Sequence, residues 1–272
     1  MKISFIGGGN MATALIAGLA GKLATGPDIH VVDPNEEALA RLNARYGVST
    51  APGIGERAAA SEVIVVAVKP QQMREVAAAL RPLLSRSKPL VLSIAAGIRG
   101  ADLSRWLGGY RAIVRTMPNT PALIGMGVTG MVAMPGASEQ QKAAADSIMG
   151  AVGKTVWLDD EALIDPVTAV SGSGPAYVFY FLEAMQQAAQ ELGLSSEQGK
   201  ELALATFTGA AQLAAQSSDP VEVLRQRVTS KGGTTYAAIT SMEQGAVKQA
   251  IVEAIKAAAA RGRELGEELG KD

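Results

Sequence analysis

Three consecutive glycines stand between a short apolar run, Ile3–Ile6, and a helical pattern formed by Met11, Leu15, Ile16 and Leu19. Gly7, Gly9 and Ala12 fall on Gly-x-Gly-x-x-(Gly/Ala), the spacing of a dinucleotide-binding turn, with Gly8, Asn10 and Met11 filling it. Gly7 permits the tight bend, Gly9 lets a pyrophosphate approach the backbone, and Ala12 lets helix and strand pack closely. The free amides and positive dipole end of the helix then face the phosphates. Gly7–Gly9 could be only a tight loop, but its place between a strand and a helix favours the cofactor.

A second stretch rich in chemistry lies more than 200 positions later: Val228-Thr229-Ser230-Lys231-Gly232-Gly233-Thr234-Thr235. A helical pattern follows at Tyr236, Ala238, Ile239 and Met242. A helix start approached through two glycines exposes amide donors suited to a carboxylate. Ser230, Thr234 and Thr235 add hydroxyls. A threonine before a helix also commonly caps it. A simple cap has no need of the surrounding glycines, hydroxyls and lysine, which favours a small-anion site.

What the chain lacks narrows the chemistry. It has no cysteine, so no disulfide framework, thiolate nucleophile or Cys-ligated metal. A single histidine, His30, excludes a multi-histidine metal site, and its place inside Ile29–Val32 reads as structural. No metal is expected. With 25 basic and 26 acidic residues, nothing points to nucleic acid or an anionic membrane. Hydrophobic residues make up 48% of the 272, enough for a substantial core. No apolar run approaches the roughly 20 residues that span a bilayer. Lys2 and the apolar residues after it resemble a signal peptide, but Gly7–Asn10 interrupts the run and strand–turn–helix periodicity accounts for the segment. A soluble, cytoplasmic protein is expected.

The elements that must position these residues follow from periodicity. Ile29–Val32 reads as a second strand ending at Asp33, 21 positions after Ala12. A Rossmann unit commonly places an acid there for the adenine ribose. Asp33-Pro34-Asn35-Glu36 reads equally well as a helix start, with Asp33 the cap and Glu36 its capping-box partner. Gly47–Thr50, Val63–Val68, Leu90–Ile94 and Ala112–Val114 read as further strands. Helices are expected over Gln71–Leu84 and Asp102–Leu107. Strands alternating with helices predict a parallel, doubly wound sheet, with ligands beyond the carboxyl ends of the strands. Gly7–Gly9, Asp33, Lys69-Pro70, Ala95–Gly97 and Met117–Pro121 all lie there.

Edge strands at Gly127–Met134 and Lys154–Leu158, with helix Glu139–Val152 between them, complete a domain spanning 1–159. Residues 160–272 show no strand signal. Leu163–Val170 reads as one helix, Ser171–Gly174 as a break, and Pro175–Leu192 as a long second helix. Tyr177 to Leu182 are apolar around the whole turn and should be buried on every side. The spacing predicts helices over Glu197–Gln216, Pro220–Val228, Thr235–Glu243 and Ala246–Leu269. No long linker separates the halves, so they are expected to pack as one body with a cleft between them.

The sequence resembles the pyrroline-5-carboxylate reductases. The matching stretches are Gly7–Ala12, Ala67-Val68-Lys69-Pro70, Ser93–Gly97, Met117–Pro121, Ser171–Tyr177 and Val228–Thr235, in that family's order along nearly the full chain. The resemblance implies an α/β fold: an N-terminal Rossmann doubly wound sheet with a C-terminal all-helical dimerisation domain, the dimers often assembled into a ring. It implies reduction of 1-pyrroline-5-carboxylate to L-proline, the last step of proline synthesis. It assigns the pyrophosphate to Gly7–Ala12 and the cofactor groove to Ala67, Val68, Lys69 and Pro70 with Ala95, Ala96 and Gly97. Asn119, Thr120 and Pro121 should lie near the nicotinamide. Val228, Thr229, Ser230, Gly233, Thr234 and Thr235 should hold the substrate carboxylate, and Thr235 matches the threonine placed to hydrogen-bond the ring nitrogen. The cofactor is NADPH or NADH. Asp33 departs from the residue favouring a 2′-phosphate in many members, and no Arg or Lys lies between it and Arg41, so NADH gains ground. Arg227 stands where some relatives have asparagine.

This chemistry suits a chain without a metal or covalent nucleophile. A cyclic imine is already electrophilic at the carbon that accepts hydride, so holding it against the nicotinamide supplies much of the rate. Threonine is a poor general acid, so Thr235 is assigned orientation rather than proton donation. A hydroxyacid dehydrogenase would need an acid on the long helix, yet Pro175–Leu192 contains neither lysine nor histidine. A cofactor-sensing protein would have no use for Val228–Thr235.

Overall fold

A computed structural model describes residues 1–271. Residues Met1–Ser173, joined by the chain from Ala257 onward, form one compact unit, and Gly174–Lys256 forms another.

The first unit opens with β1 (Ile3–Ile6), α1 (Asn10–Leu19), β2 (Ile29–Val32), α2 (Glu36–Tyr46), β3 (Ser49–Ala51), α3 (Glu56–Ala59) and β4 (Val63–Val66). It continues through α4 (Met73–Leu80), α5 (Leu84–Ser87), β5 (Leu90–Ser93), α6 (Gly100–Trp106) and β6 (Ile113–Met117). Then come β7 (Gly127–Ala133), α7 (Glu139–Gly150), β8 (Gly153–Trp157) and α8 (Ile164–Val167). The sheet runs β3-β2-β1-β4-β5-β6-β7-β8. Strands β1 to β6 are parallel, β7 pairs antiparallel with β6, and β8 pairs parallel with β7. The strand order reverses between β1 and β4, the switch point at which doubly wound sheets bind ligands.

Alternation explains why these strands are continuous apolar runs. Ile3, Phe5, Val31, Val63, Val65, Leu90 and Leu92 enter one core, beneath Leu15, Ile16 and Leu19 of α1. Ile6, Val32, Ile64, Val66 and Val91 enter the opposite core with Met73, Leu80 and Leu103. Both faces are covered, so both residue parities must be apolar.

Several elements differ from the periodicity. The helix expected over Gln71–Leu84 is divided: Pro70–Gln72 and Arg81–Leu83 are 3₁₀ turns flanking α4. Pro82 lacks an amide proton and cannot continue the α-helical ladder. Strand β6 runs on through Arg115, Thr116 and Met117, residues that read as a loop. Their polarity is satisfied in place, since buried Arg115 pairs with Glu161 and Thr116 Oγ1 donates to the Ser93 carbonyl at 3.0 Å. The break expected over Ser171–Gly174 narrows to the bend at Ser173. Thr168–Gly172 forms a π turn leading to α9 (Gly174–Glu191). There Thr168 and Ser171 hydroxyls donate back to the Ile164 and Val167 carbonyls at 2.8 and 3.0 Å. Such back-bonding bends a helix.

The compact division also falls later than 159/160. Ile164 and Ala169 are buried, Glu161 holds Arg115, and Val167 packs so close to Gly130 that a side chain there would collide. These contacts tie residues 161–172 to the sheet.

The second unit contains α9, α10 (Ser196–Gln216), α11 (Val221–Arg227), α12 (Thr234–Gln244) and the start of α13 (Val247–Leu269). No strand occurs in it. On α9, only Leu182 is buried; Val178, Phe179 and Tyr180 are 42%, 58% and 74% exposed. The expected burial on every side therefore fails within a single chain, because nothing among the described residues covers these side chains. Among the described residues no helix is long and apolar enough to cross a membrane.

Candidate functional site

The glycine turn takes its shape from two backbone ties. Gly7 N–H donates to the Val32 carbonyl and Ala67 N–H to the Ile6 carbonyl, each at 2.8 Å, so the ends of β1, β2 and β4 are held together. Gly7 adopts φ +104°, and a β-carbon there would lie 2.5 Å from the Ala67 carbonyl oxygen. Gly9 caps α1 without a side chain, leaving the first-turn amides of Asn10 and Met11 outside the helical ladder. A β-carbon on Gly9 would meet nothing within 4 Å. The turn thus combines open space, free amides and a helix dipole where a pyrophosphate requires them. Ala12 is buried, as close helix–strand packing demands.

Asp33 does not cap α2. Asn35 does, its side chain accepting from the Ala38 amide at 3.0 Å. The Asp33 carboxylate instead accepts from Gly8 N–H at 2.7 Å and from Asn35 N–H at 2.8 Å. It therefore braces the glycine turn from the end of β2.

A groove of about 740 Å³ opens at the switch point. Gly7, Gly9, Asp33, Ala67, Val68 and Lys69 line it, joined by residues that sequence did not single out, among them Pro52, Gly53, Ile54, Gln72 and Glu75. Pro52-Gly53 follows β3, and that position beyond a parallel strand was the available signal. Lys69 brings to the groove the cation missing between Asp33 and Arg41.

The other expected cofactor residues lie outside this groove lining. Gly8, Asn10, Met11 and Ala12 belong to the turn and α1, and Pro70 opens the 3₁₀ turn before α4. Ala95 is buried, Ala96 follows it, and Gly97 (φ +73°) lies beneath Leu265 and Leu269 of α13. Thr120 and Pro121 start a 3₁₀ turn. Asn119 has both ends of its amide bonded: Oδ1 accepts from Val128 N–H at 2.9 Å and Nδ2 donates to the Ser171 carbonyl at 3.1 Å. Asn119→Ala should therefore lower stability by about 1–3 kcal/mol, the usual consequence of leaving buried polar groups unpaired. Thermal unfolding together with cofactor KM checks this. A weakened cofactor KM at unchanged Tm would mean that the side chain serves the cofactor instead.

In the second unit, α11 ends at Arg227 and α12 begins at Thr234. The N-cap of α12 is Gly233, with no side-chain cap, so the simple threonine cap is excluded. Gly233 N–H donates to the Ser230 carbonyl at 2.9 Å, and Gly232 takes φ +77°. The amides opening α12, at Thr234, Thr235 and Tyr236, are left without a side-chain acceptor. Val228, Ser230, Thr234 and Thr235 are exposed in this unit. Thr229 Oγ1 donates to the Arg225 carbonyl at 2.6 Å, so its proton is already committed. Arg227 pairs with Asp219 at 2.5 Å. Chemically, the start of α12 is a set of neutral donors at a positive helix end, with Lys231 in the loop before it, suited to a small carboxylate.

Among the described residues no group of His, Cys, Asp and Glu could hold a metal ion. His30 is buried and shares a hydrogen bond between Nδ1 and Ser49 Oγ at 2.9 Å. Burial, aided by nearby Arg57, pushes its pKa down. It is structural.

Residues 161–265 match the family model described as pyrroline-5-carboxylate reductase dimerisation, and residues 2–97 that described as NADP oxidoreductase, coenzyme F420-dependent. The pyrroline-5-carboxylate reductase of Pseudomonas aeruginosa is 45% identical over 270 residues, covering 99% of this chain and 98% of that one. Its counterpart from Haemophilus influenzae is 42% identical over 264 residues, covering 97% of each. Among solved structures, the pyrroline-5-carboxylate reductase of Coxiella burnetii matches with a TM-score of 0.91 at 41% identity, over 97% of this chain and 98% of that one. The Plasmodium falciparum pyrroline carboxylate reductase, solved with NADP bound, matches with a TM-score of 0.86 at 29% identity, over 98% of both.

Proposed function

Because the chain belongs to the pyrroline-5-carboxylate reductase family and performs its reaction, the NAD(P)H-dependent reduction of 1-pyrroline-5-carboxylate to L-proline, we propose how its own residues divide the work. Gly7–Ala12 receives the pyrophosphate, the groove holding Asp33, Ala67, Val68 and Lys69 takes the adenosine side, and Ala95–Gly97 with the backbone of Asn119–Pro121 serves the nicotinamide end. Ser230 and Gly233–Thr235 hold the substrate carboxylate, on the segment that Val228 and Thr229 begin. The observation that carries the substrate half is the uncapped start of α12 behind Gly233, a donor array with no structural acceptor.

When bound, NAD(P)H supplies the hydride that adds to the carbon of the C=N bond. As that bond is reduced, its π electrons become the nitrogen lone pair, and proline nitrogen takes a proton readily. The protein must hold the ring face-on and at reacting distance. Thr235, second in α12, orients the ring nitrogen through its hydroxyl while its neighbours fix the carboxylate. Oxidation of NADH or NADPH in the presence of 1-pyrroline-5-carboxylate tests the reaction. Rates no higher than the enzyme-free control with either cofactor would overturn it.

Asp33 is the determinant we assign to cofactor choice. Its carboxylate lines the groove and would repel a 2′-phosphate, whereas Lys69 would attract one. Asp33→Ser should raise the NADPH/NADH ratio of kcat/KM roughly tenfold, equivalent to about 1.4 kcal/mol. Loss of the brace on Gly8 should also weaken both cofactors. Steady-state kinetics with each cofactor checks this, and an unchanged ratio would confine Asp33 to bracing the turn.

The helical half carries the family's dimerisation domain, and the substrate is a small molecule. The exposed Val178, Phe179 and Tyr180 support a homodimer formed through α9, and repetition of such contacts would give a ring of dimers. A cytoplasmic location fits a biosynthetic enzyme of this family.

A further inference from the structure

Thr229 has the chemistry of a ligand and the geometry of a strut. A hydroxyl carries one proton, and that of Thr229 goes to the Arg225 carbonyl at 2.6 Å. The Thr229 amide donates to the Gln226 carbonyl at 3.0 Å. Both acceptors lie in the last turn of α11, where carbonyls have no partner within the helix. Among the described residues the only other donor to the Arg225 carbonyl is Val228 N–H, at a longer 3.3 Å. Thr229 therefore fixes the direction in which the chain leaves α11.

One residue later the arrangement changes. The Ser230 hydroxyl has no partner among the described residues, while its carbonyl accepts from Gly233 N–H. That bond closes the turn into α12, so Ser230 and the α12 amides take their positions from the point where Thr229 anchors the loop. The Arg225–Glu243 ion pair also links α11 to α12, but at 3.7 Å and with both side chains about half exposed or more it constrains little.

We propose that Thr229 is a positioning residue for the reductase reaction: its hydroxyl, donated to the Arg225 carbonyl, sets Ser230 and the opening of α12 to receive the substrate carboxylate. The proposal rests on the assignment of residues 228–235 as the carboxylate cradle. Thr229 itself gives no proton to the substrate.

The test uses the full-length enzyme, with KM for 1-pyrroline-5-carboxylate and for NADPH measured for Thr229→Val, Thr229→Ser, Ser230→Ala and the double variant Thr229→Val/Ser230→Ala. Circular dichroism monitors the fold of each, and Thr229→Ala replaces Thr229→Val if valine prevents folding. Loss of this hydrogen bond should raise the substrate KM about tenfold while leaving that for NADPH within about twofold. Thr229→Ser should restore the substrate KM. Because Thr229 acts partly through the Ser230 hydroxyl, Thr229→Val should raise the substrate KM by a smaller factor in the Ser230→Ala background than in the wild type, the remainder reflecting the α12 amides. A wild-type substrate KM for Thr229→Val, or effects that multiply in the double variant, would overturn the proposal. An unchanged KM for Ser230→Ala would instead overturn the cradle assignment on which it stands.

Discussion

Gly7→Ala should raise the Kd for NAD(P)H at least about 100-fold, since about 1–3 kcal/mol of backbone strain adds to a steric collision at the cofactor turn. The residue sits at φ +104°, where an L side chain is strained whatever the surroundings. Its β-carbon would lie 2.5 Å from the Ala67 carbonyl oxygen and 3.3 Å from Val68 Cγ1. Retreat is blocked because Ala67 N–H is bonded to the Ile6 carbonyl and Gly7 N–H to that of Val32. The turn itself must move. Gly9→Ala separates shape from occupancy: its β-carbon would meet no protein atom within 4 Å, and its φ of −71° accepts any residue. That variant should keep the wild-type Tm yet bind cofactor more weakly, because the methyl occupies the space left for the pyrophosphate. Fluorescence titration and thermal unfolding of both variants check the pair. A Gly7→Ala enzyme within about threefold of wild-type affinity would contradict the steric account.

Thr235→Ala should lower kcat about 100-fold, the scale on which a misplaced reactant loses rate. Cofactor KM should stay within about twofold. Thr235 is exposed and lies in the first turn of α12, and alanine is the better helix former. The fold and Tm should therefore survive, which isolates the loss to the reacting ring. Thr235→Ser should recover most of the rate, because orientation needs the hydroxyl and not the methyl. Single-turnover kinetics with saturating cofactor measures the effect. Equal losses in turnover and cofactor binding would contradict the assigned role.

The sheet was legible because its strands face two cores and so carry apolar residues at every position; Val63–Val66 can be little else. The glycine spacing was legible because one φ and one close approach exclude other residues. Segments whose polarity is satisfied at long range were not. Arg115 and Thr116 read as a loop until Glu161 and the Ser93 carbonyl supply partners from elsewhere in the chain. Ser171–Gly174 read as a four-residue break because serine and glycine favour one, but the Ser173 amide bonds back to the Thr168 carbonyl to close a π turn, and only Ser173 leaves the helices. Asp33 and Asn35 are both good helix caps by type. Backbone geometry alone decides that Asn35 caps α2 while Asp33 reaches back to Gly8. Likewise the sequence neighbourhood of Asp33 contains no nearby cation, yet folding brings Lys69 to the same groove. Asn119, expected near the nicotinamide, also has a task that its sequence neighbourhood did not show: its amide ties β7 to the π turn.

The brace from Asp33 to Gly8 also has a kinetic consequence. The glycine turn is tied by groups of the protein itself, so association should order no loop and should resemble the docking of two rigid surfaces. Differences between cofactors should then emerge mainly in how long each stays bound. Severing the brace would slow arrival as well, since every encounter would have to wait for a loosened turn to reach its binding shape.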